Sequence, residues 1–280
     1  MPTIRLAHSP DSDDAFMFYA LASGKIDTGD RRYVHELQDI ETLNQRALRG
    51  ELDVTAVSIH AYAYLADRYA LLPHGASVGD RYGPRLVGRT PVPDDVREAT
   101  LGARIAIPGE HTTATLALRL FQPTFEPIVL PFDSIEDAVR TGTVDAGLLI
   151  HEGQLTYRNG GLHLWMDMGQ WWHTETGLPL PLGGNVIRRD LGDALIAAVS
   201  RDLRGSILFA LEHREDALDH AMQYARGLDR ARADEFIGMY VNDFTVDYGD
   251  VGRRAVQQLL DRAAAAGIVP TRIVVDFVGD

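Results

Sequence analysis

Short apolar runs, each followed by a polar turn and then a helical period, set the rhythm of the first two-thirds of the chain. Ile4-Arg-Leu-Ala-His8 reads as a strand that leads through Ser9-Pro10 to a helix beginning near Asp13 and carrying Ala15 to Leu21. Residues 40–49 place Leu43, Ala47 and Leu48 on one helical face and stop at Gly50, after which Asp53-Val-Thr-Ala-Val-Ser58 reads as a buried strand. A second strand at 103–107 runs through Pro108-Gly109-Glu110-His111 into a helix over 112–121. Ser134-Ile-Glu-Asp137 has the spacing of a capping box, opening a helix that ends at Gly142 ahead of a strand at 144–150. Alternation of this kind predicts an α/β fold with a largely parallel sheet.

Two of these units share a signature. Arg49-Gly50-Glu-Leu-Asp53 and Thr141-Gly142-Thr-Val-Asp145 each carry a helix-stopping glycine with an aspartate three residues later. Helix-to-strand turns look alike in many chains; two lobes of one design, each presenting a strand end to a shared cleft, would look the same. Proline and glycine at 84–95 and again at 178–184 suit two crossings between lobes. The expected division is a large lobe over 1–92, a small lobe over 93–183, and a return to the large lobe over 184–280. That last part opens with a strand at 185–188 and is otherwise helical, at 193–213, 215–226, 231–240 and 250–266.

Composition narrows the function. With 45% hydrophobic and 24% charged residues the 280-residue chain can bury a sizeable core. A net charge of −13 argues against nucleic acid and anionic membrane as partners, and no helix-turn-helix or basic surface suggests a regulator. The absence of cysteine removes disulfides, a thiolate nucleophile and thiolate metal sites. The first residues show no signal-peptide pattern and no apolar run spans a membrane, so a cytoplasmic location is expected.

Ligands of open α/β sheets bind beyond the carboxyl ends of the strands. Those ends deliver Ser9, Ser58, the His111-Thr112-Thr113 turn and His151-Glu152. The amides and hydroxyls of Thr112 and Thr113 either hold a carboxylate at a helix start or only cap that helix. The turn lacks the glycine-rich frame of a nucleotide-binding loop. His151 follows an apolar strand and titrates near neutrality, so it is either a cleft acid–base group or a satisfied structural histidine. Glu152 is expected to make a structural or hinge contact. None of the ten histidines has zinc-site spacing, and no metal is expected. Trp171-Trp172-His173 is either core or an aromatic ligand contact, whereas Tyr240 to Phe244 is expected to pack. Asp11, Asp13 and Asp14 are expected to cap the first helix.

At these same places the chain resembles the dihydroxynaphthoate synthases of the futalosine route to menaquinone. The matching stretches include Ser9-Pro10 with Asp14, Asp39-Ile-Glu-Thr-Leu-Asn44, Pro108-Gly109, His111-Thr-Thr-Ala114, Ile150-His-Glu152, Gly177-Leu-Pro-Leu-Pro-Leu-Gly183 and Tyr240-Val-Asn242. The resemblance implies a two-lobed fold like the type II periplasmic binding proteins, and cleavage of cyclic dehypoxanthine futalosine to 1,4-dihydroxy-6-naphthoate with expulsion of the former ribose portion. It implies no metal or organic cofactor, His151 as catalytic base, and ligand-binding positions at Ala56-Val57-Ser58 and Thr113-Ala114. The partner is then a small-molecule carboxylate. One departure stands out: the family's first turn commonly reads Ser-Pro-Cys-Pro-Asn-Asp, whereas here it is Ser9-Pro10-Asp-Ser-Asp-Asp14. The extra carboxylates either alter substrate contacts or recap the helix, and recapping is the expected role. The rival functions are chorismate dehydratase of the same pathway and a non-enzymatic binder of organic acids.

Overall fold

The computed structural model describes residues 2–279. Among these, eleven strands run in chain order as β1 (Thr3–His8), β2 (Arg32–Leu37), β3 (Val54–Ser58), β4 (Tyr69–Leu71), β5 (Ser77–Gly79), β6 (Arg85–Gly88), β7 (Arg104–Ile107), β8 (Glu126–Val129), β9 (Ala146–Leu149), β10 (His163–Asp167) and β11 (Leu180–Arg188). One sheet has the order β2-β1-β3-β11-β4, with β5 also on β11; the other has the order β10-β6-β9-β7-β8.

One side of each sheet is a parallel triplet, β2-β1-β3 in one and β8-β7-β9 in the other. Helices such as Ile40–Leu48 and Ile135–Thr141 make the crossovers that parallel pairing demands. Beyond each triplet the next strand is antiparallel: β11 against β3, and β6 against β9. The expected largely parallel sheets are therefore mixed. The reason is topological, since β6 and β11 each arrive from the other lobe and need no crossover helix to run antiparallel.

The repeated turn is repeated down to its hydrogen bonds. Gly50 and Gly142 both take left-handed backbone, with φ of 73° and 81°. Asp53 accepts the Arg5 N–H at 2.9 Å and lies 3.7 Å from the Arg5 guanidinium. Asp145 accepts the Arg104 N–H at 2.9 Å and pairs with the Arg104 guanidinium at 3.0 Å. A generic turn would not reproduce the same latch between neighbouring strands, so the two lobes share one design. Because left-handed backbone disfavours a side chain, Gly142→Ala is expected to cost about 1 kcal/mol. A urea midpoint equal to wild type would contradict that strain.

β5 pairs in the first sheet and β6 in the second, so the chain first crosses at 80–84. β11 already pairs with β5 at Leu180↔Gly79, so the return lies at 177–179. The crossings thus fall several residues earlier than the expected boundaries after 92 and 183, because proline-rich 91–93 follows a strand that already belongs to the second sheet.

The first helix breaks at Phe18 into Ser12–Met17 and Tyr19–Ala22. The helical end comprises Asp193–Glu212, Arg214–Ala221, Arg230–Tyr240 and Gly249–Ala265. The second of these is shorter than expected, giving way to a tight turn at Met222–Tyr224 and to Arg226 with φ 47°. Ser134 forms no capping box: it ends a single 3₁₀ turn and its side chain makes no cap bond. Trp172 is fully buried, donating to the Pro179 carbonyl at 3.1 Å, and Trp171 packs on Phe121, which places both in the core. No described helix is long and apolar enough to cross a membrane.

Candidate active site

Where the strand ends of the two lobes face each other lies a cleft of about 730 Å³, its open mouth included. Ser9, Ala56, Val57, Ser58, Thr112, Thr113, Ala114 and His151 all line it. His111 does not; it leans on Glu41, whose carboxylate accepts the His111 N–H at 3.2 Å.

Ser58 ends β3 and is clamped by Asn44 from the helix Ile40–Leu48. Asn44 Oδ1 accepts the Ser58 N–H at 2.9 Å, and Asn44 Nδ2 donates to Ser58 Oγ at 3.1 Å. With Oγ already accepting from Asn44, the serine hydroxyl still has its proton to donate. Across from it, Thr112 caps the helix Thr113–Phe121 by accepting the Thr115 N–H at 3.2 Å and donating to the Gly109 carbonyl at 3.0 Å. Thr113 Oγ1 donates to the Leu182 carbonyl at 2.6 Å and accepts the His60 N–H at 3.1 Å. Both threonine hydroxyls are therefore engaged within the protein, the capping alternative for Thr112. What the turn offers is the amides of Thr113 and Ala114 at the positive end of the helix dipole, the arrangement that holds a carboxylate.

His151 is held more tightly than a strand end requires. It lies two residues past β9 in left-handed backbone, φ 52°, a strained state for a residue with a side chain. Its Nδ1 is 2.9 Å from Asp11 Oδ2, and its ring meets the Phe132 ring at 4.8 Å. Burial pushes the imidazole down, but the Asp11 carboxylate outweighs it and the net shift is upward. Burial likewise pushes Asp11 up, and the charge and hydrogen bond of His151 bring it below the usual carboxylate range. With Nδ1 engaged, Nε2 is the nitrogen left for chemistry.

The expectation that Asp11, Asp13 and Asp14 cap the first helix is corrected here. Asp11 stands at the cap position, yet its side chain makes no cap bond. A six-residue helix has little dipole to complement, and a buried carboxylate gains more from a cationic imidazole than from an amide. Asp14 Oδ2 accepts the Ser9 N–H at 2.7 Å and folds the turn. Burial, and then the nearby Asp11 charge, hold both Asp13 and Asp14 well above the carboxylate range. One oxygen from each of the three lies within 4.8 Å of the others.

Glu152 turns to Arg226, 3.8 Å away. Arg226 also donates to the Pro10 carbonyl at 3.0 Å and covers the Phe132 ring, drawing the helical end over the site. Among the lining residues that the sequence reading missed are Gln154 and Phe236. Tyr240, expected to pack, does pack on Phe236 at 5.2 Å, but it also lines the cleft, where its hydroxyl hydrogen-bonds the Gln154 side-chain amide at 2.8 Å. Their i, i+4 spacing on one helix was the available signal, and an apolar pair at that spacing reads first as core.

A pair of like α/β lobes, crossed twice by the chain around a cleft between them, defines the class as the periplasmic-binding-protein fold. A Candida albicans protein described as exhibiting the generic periplasmic binding protein fold superimposes with a TM-score of 0.70 at 17% identity, over 98% of this chain and 93% of that one. A crystal structure of an Archaeoglobus fulgidus protein is nearer, with a TM-score of 0.91 at 49% identity over 95% and 98% of the two chains. The 1,4-dihydroxy-6-naphthoate synthase of Thermus thermophilus is 42% identical over 268 residues, 96% of each chain. A family model described as menaquinone biosynthesis matches residues 4–265, and the chain belongs to that family.

Proposed function

We propose that this protein is a 1,4-dihydroxy-6-naphthoate synthase, a carbon–carbon lyase that converts cyclic dehypoxanthine futalosine to 1,4-dihydroxy-6-naphthoate. The observation that carries the reading is the cleft histidine: His151 Nδ1 is pinned by Asp11 at 2.9 Å, opposite a helix start whose amides suit a carboxylate. The similarity to the named synthase supports the same choice of reaction.

In this reading the substrate carboxylate takes the amides of Thr113 and Ala114 and the hydroxyl of Ser58, which fixes the ring system in the cleft. His151 Nε2 removes one substrate proton, the bond between the ring system and the former ribose carbon breaks, and one proton returns to the expelled fragment. Protons balance, and no redox partner is called for. Closure of the lobes, held by Arg226 across Pro10 and Phe132, excludes water from the reacting bond. The reaction takes place in the cytoplasm, with a small organic acid as the partner.

The test is incubation of the purified protein with cyclic dehypoxanthine futalosine, followed by mass and absorbance. Dihydroxynaphthoate appearing in step with substrate loss is the expected result. No product, with chorismate dehydrated instead, would move the protein to the rival enzyme of the pathway.

A further inference from the structure

The carboxylate-binding amides account for only part of the cleft lining. Ser9, Asp11 and Asp13 also line the cleft and are buried, with exposures of 4%, 2% and 8%. Asp11 interacts with both Ser9 and Asp13, yet Ser9 Oγ, Asp11 Oδ1 and Asp13 Oδ1 have no partner at hydrogen-bond geometry. Buried polar atoms are almost always satisfied, and three orphans on one side of a ligand cleft mark groups that a ligand satisfies.

The chemistry of that ligand follows from the surroundings. Carboxylate oxygens turn away a second anion. A cation would sit beside the His151 imidazole, itself drawn toward its charged form by Asp11 at 2.9 Å, and would compete with it for the same carboxylate. Asp14 is also partly committed, accepting the Ser9 N–H at 2.7 Å. Neutral donors are what remain. Hydroxyl groups donate to carboxylates and exchange either role with a serine hydroxyl, and several on adjacent carbons match several acceptors on one short turn.

We infer that Ser9, Asp11 and Asp13 form a hydroxyl-recognition subsite that holds the polyol portion of the ligand. The inference rests on the synthase reading for the identity of that portion, which is the former ribose of the substrate. It gives the extra carboxylates of the Ser9-Pro10-Asp-Ser-Asp-Asp14 turn a substrate contact. It also links occupancy to closure, because lobes shut without a ligand leave these oxygens unsatisfied. Burial and the neighbouring carboxylates favour a protonated Asp13, able both to donate and to accept.

Calorimetry in a His151→Ala background, where substrate is held without turnover, provides the test. Adding Asp13→Ala or Ser9→Ala should weaken cyclic dehypoxanthine futalosine about tenfold. Dihydroxynaphthoate, which lacks the polyol, should change less than about twofold. Equal weakening of both ligands, or none for the substrate, would overturn the subsite. So would one stoichiometric Mg²⁺, Ca²⁺, Mn²⁺ or Zn²⁺ bound by chelator-treated wild type and lost in Asp13→Ala. Free ribose, followed by NMR line broadening on wild type, serves as the second probe; broadening that survives in Asp13→Ala, or never occurs, also overturns it. If neither naphthoate compound binds while ribose still broadens through Asp13, the synthase reading falls and the hydroxyl subsite stands.

Discussion

Replacing His151 with alanine should lower turnover at least about a hundredfold while leaving binding of dihydroxynaphthoate within about twofold of wild type. The split is expected because the groups proposed to grip the carboxylate, the amides of Thr113 and Ala114 and the hydroxyl of Ser58, belong to other elements and do not depend on the imidazole. Asp11, deprived of its partner, would be a buried lone carboxylate, and it takes up a proton rather than remain charged. The variant therefore folds, and circular dichroism and product affinity check that it has. Turnover near wild type would remove His151 from the chemistry. Loss of product binding in parallel with turnover would make it a structural histidine.

The second large effect concerns acid stability. Burial first, and then neighbouring His35, push His8 from its ordinary 6.5 down to about 4. Burial does the same to His35 and His60, each also held at about 4. His8 is stacked on Phe18 and shares a 3.1 Å contact with His35, so there is no room for two charges. In the unfolded chain these rings protonate near pH 6.5; in the folded chain they refuse the proton until about pH 4. Their neutral burial costs nothing above pH 6.5, and stability falls as pH drops from 6.5 toward 4. Each contributes about 3 kcal/mol to that fall, the His8–His35 pair somewhat less than twice that because its sites interact. Asp13 and Asp14, held neutral by burial, act in the opposite sense, so the clean measurement is a difference. Urea midpoints at pH 7 and pH 4.5 should converge in His8→Phe relative to wild type. An unchanged gap would mean that His8 is not buried in its neutral form.

The fold was largely legible because its units carry local signals. Glycine stops at 50 and 142, the Thr112 cap and the apolar strand at 54–58 each depend on residues within a few positions of one another. Parallel versus antiparallel order was less legible, since β6 and β11 change lobe and nothing local reports direction. The first crossing was placed too late for the same reason: Arg85–Gly88 looks like an exit and is already a strand of the second sheet.

At the site the same division applies. Ser9, Ser58, Thr112, Thr113 and His151 follow from strand ends, which a sequence displays. The contact that orients His151 does not, because Asp11 is 140 positions away along the chain. Aspartate before a helix is ordinarily a cap, and only the approach of the second lobe turns its carboxylate outward to the imidazole. Tyr240 was hidden in a similar manner: packing and cleft lining draw on the same aromatic face.

The pH dependence of kcat/KM for cyclic dehypoxanthine futalosine, in wild type and in Asp11→Asn, tests the central claim most directly. A general base works unprotonated, so the rate should rise with pH through the His151 pKa, which Asp11 lifts above the ordinary 6.5. Asp11→Asn removes that charge, so the rising limb should move to lower pH while the plateau falls. Superimposable profiles, or a limb that moves to higher pH, would contradict a base held and tuned by Asp11.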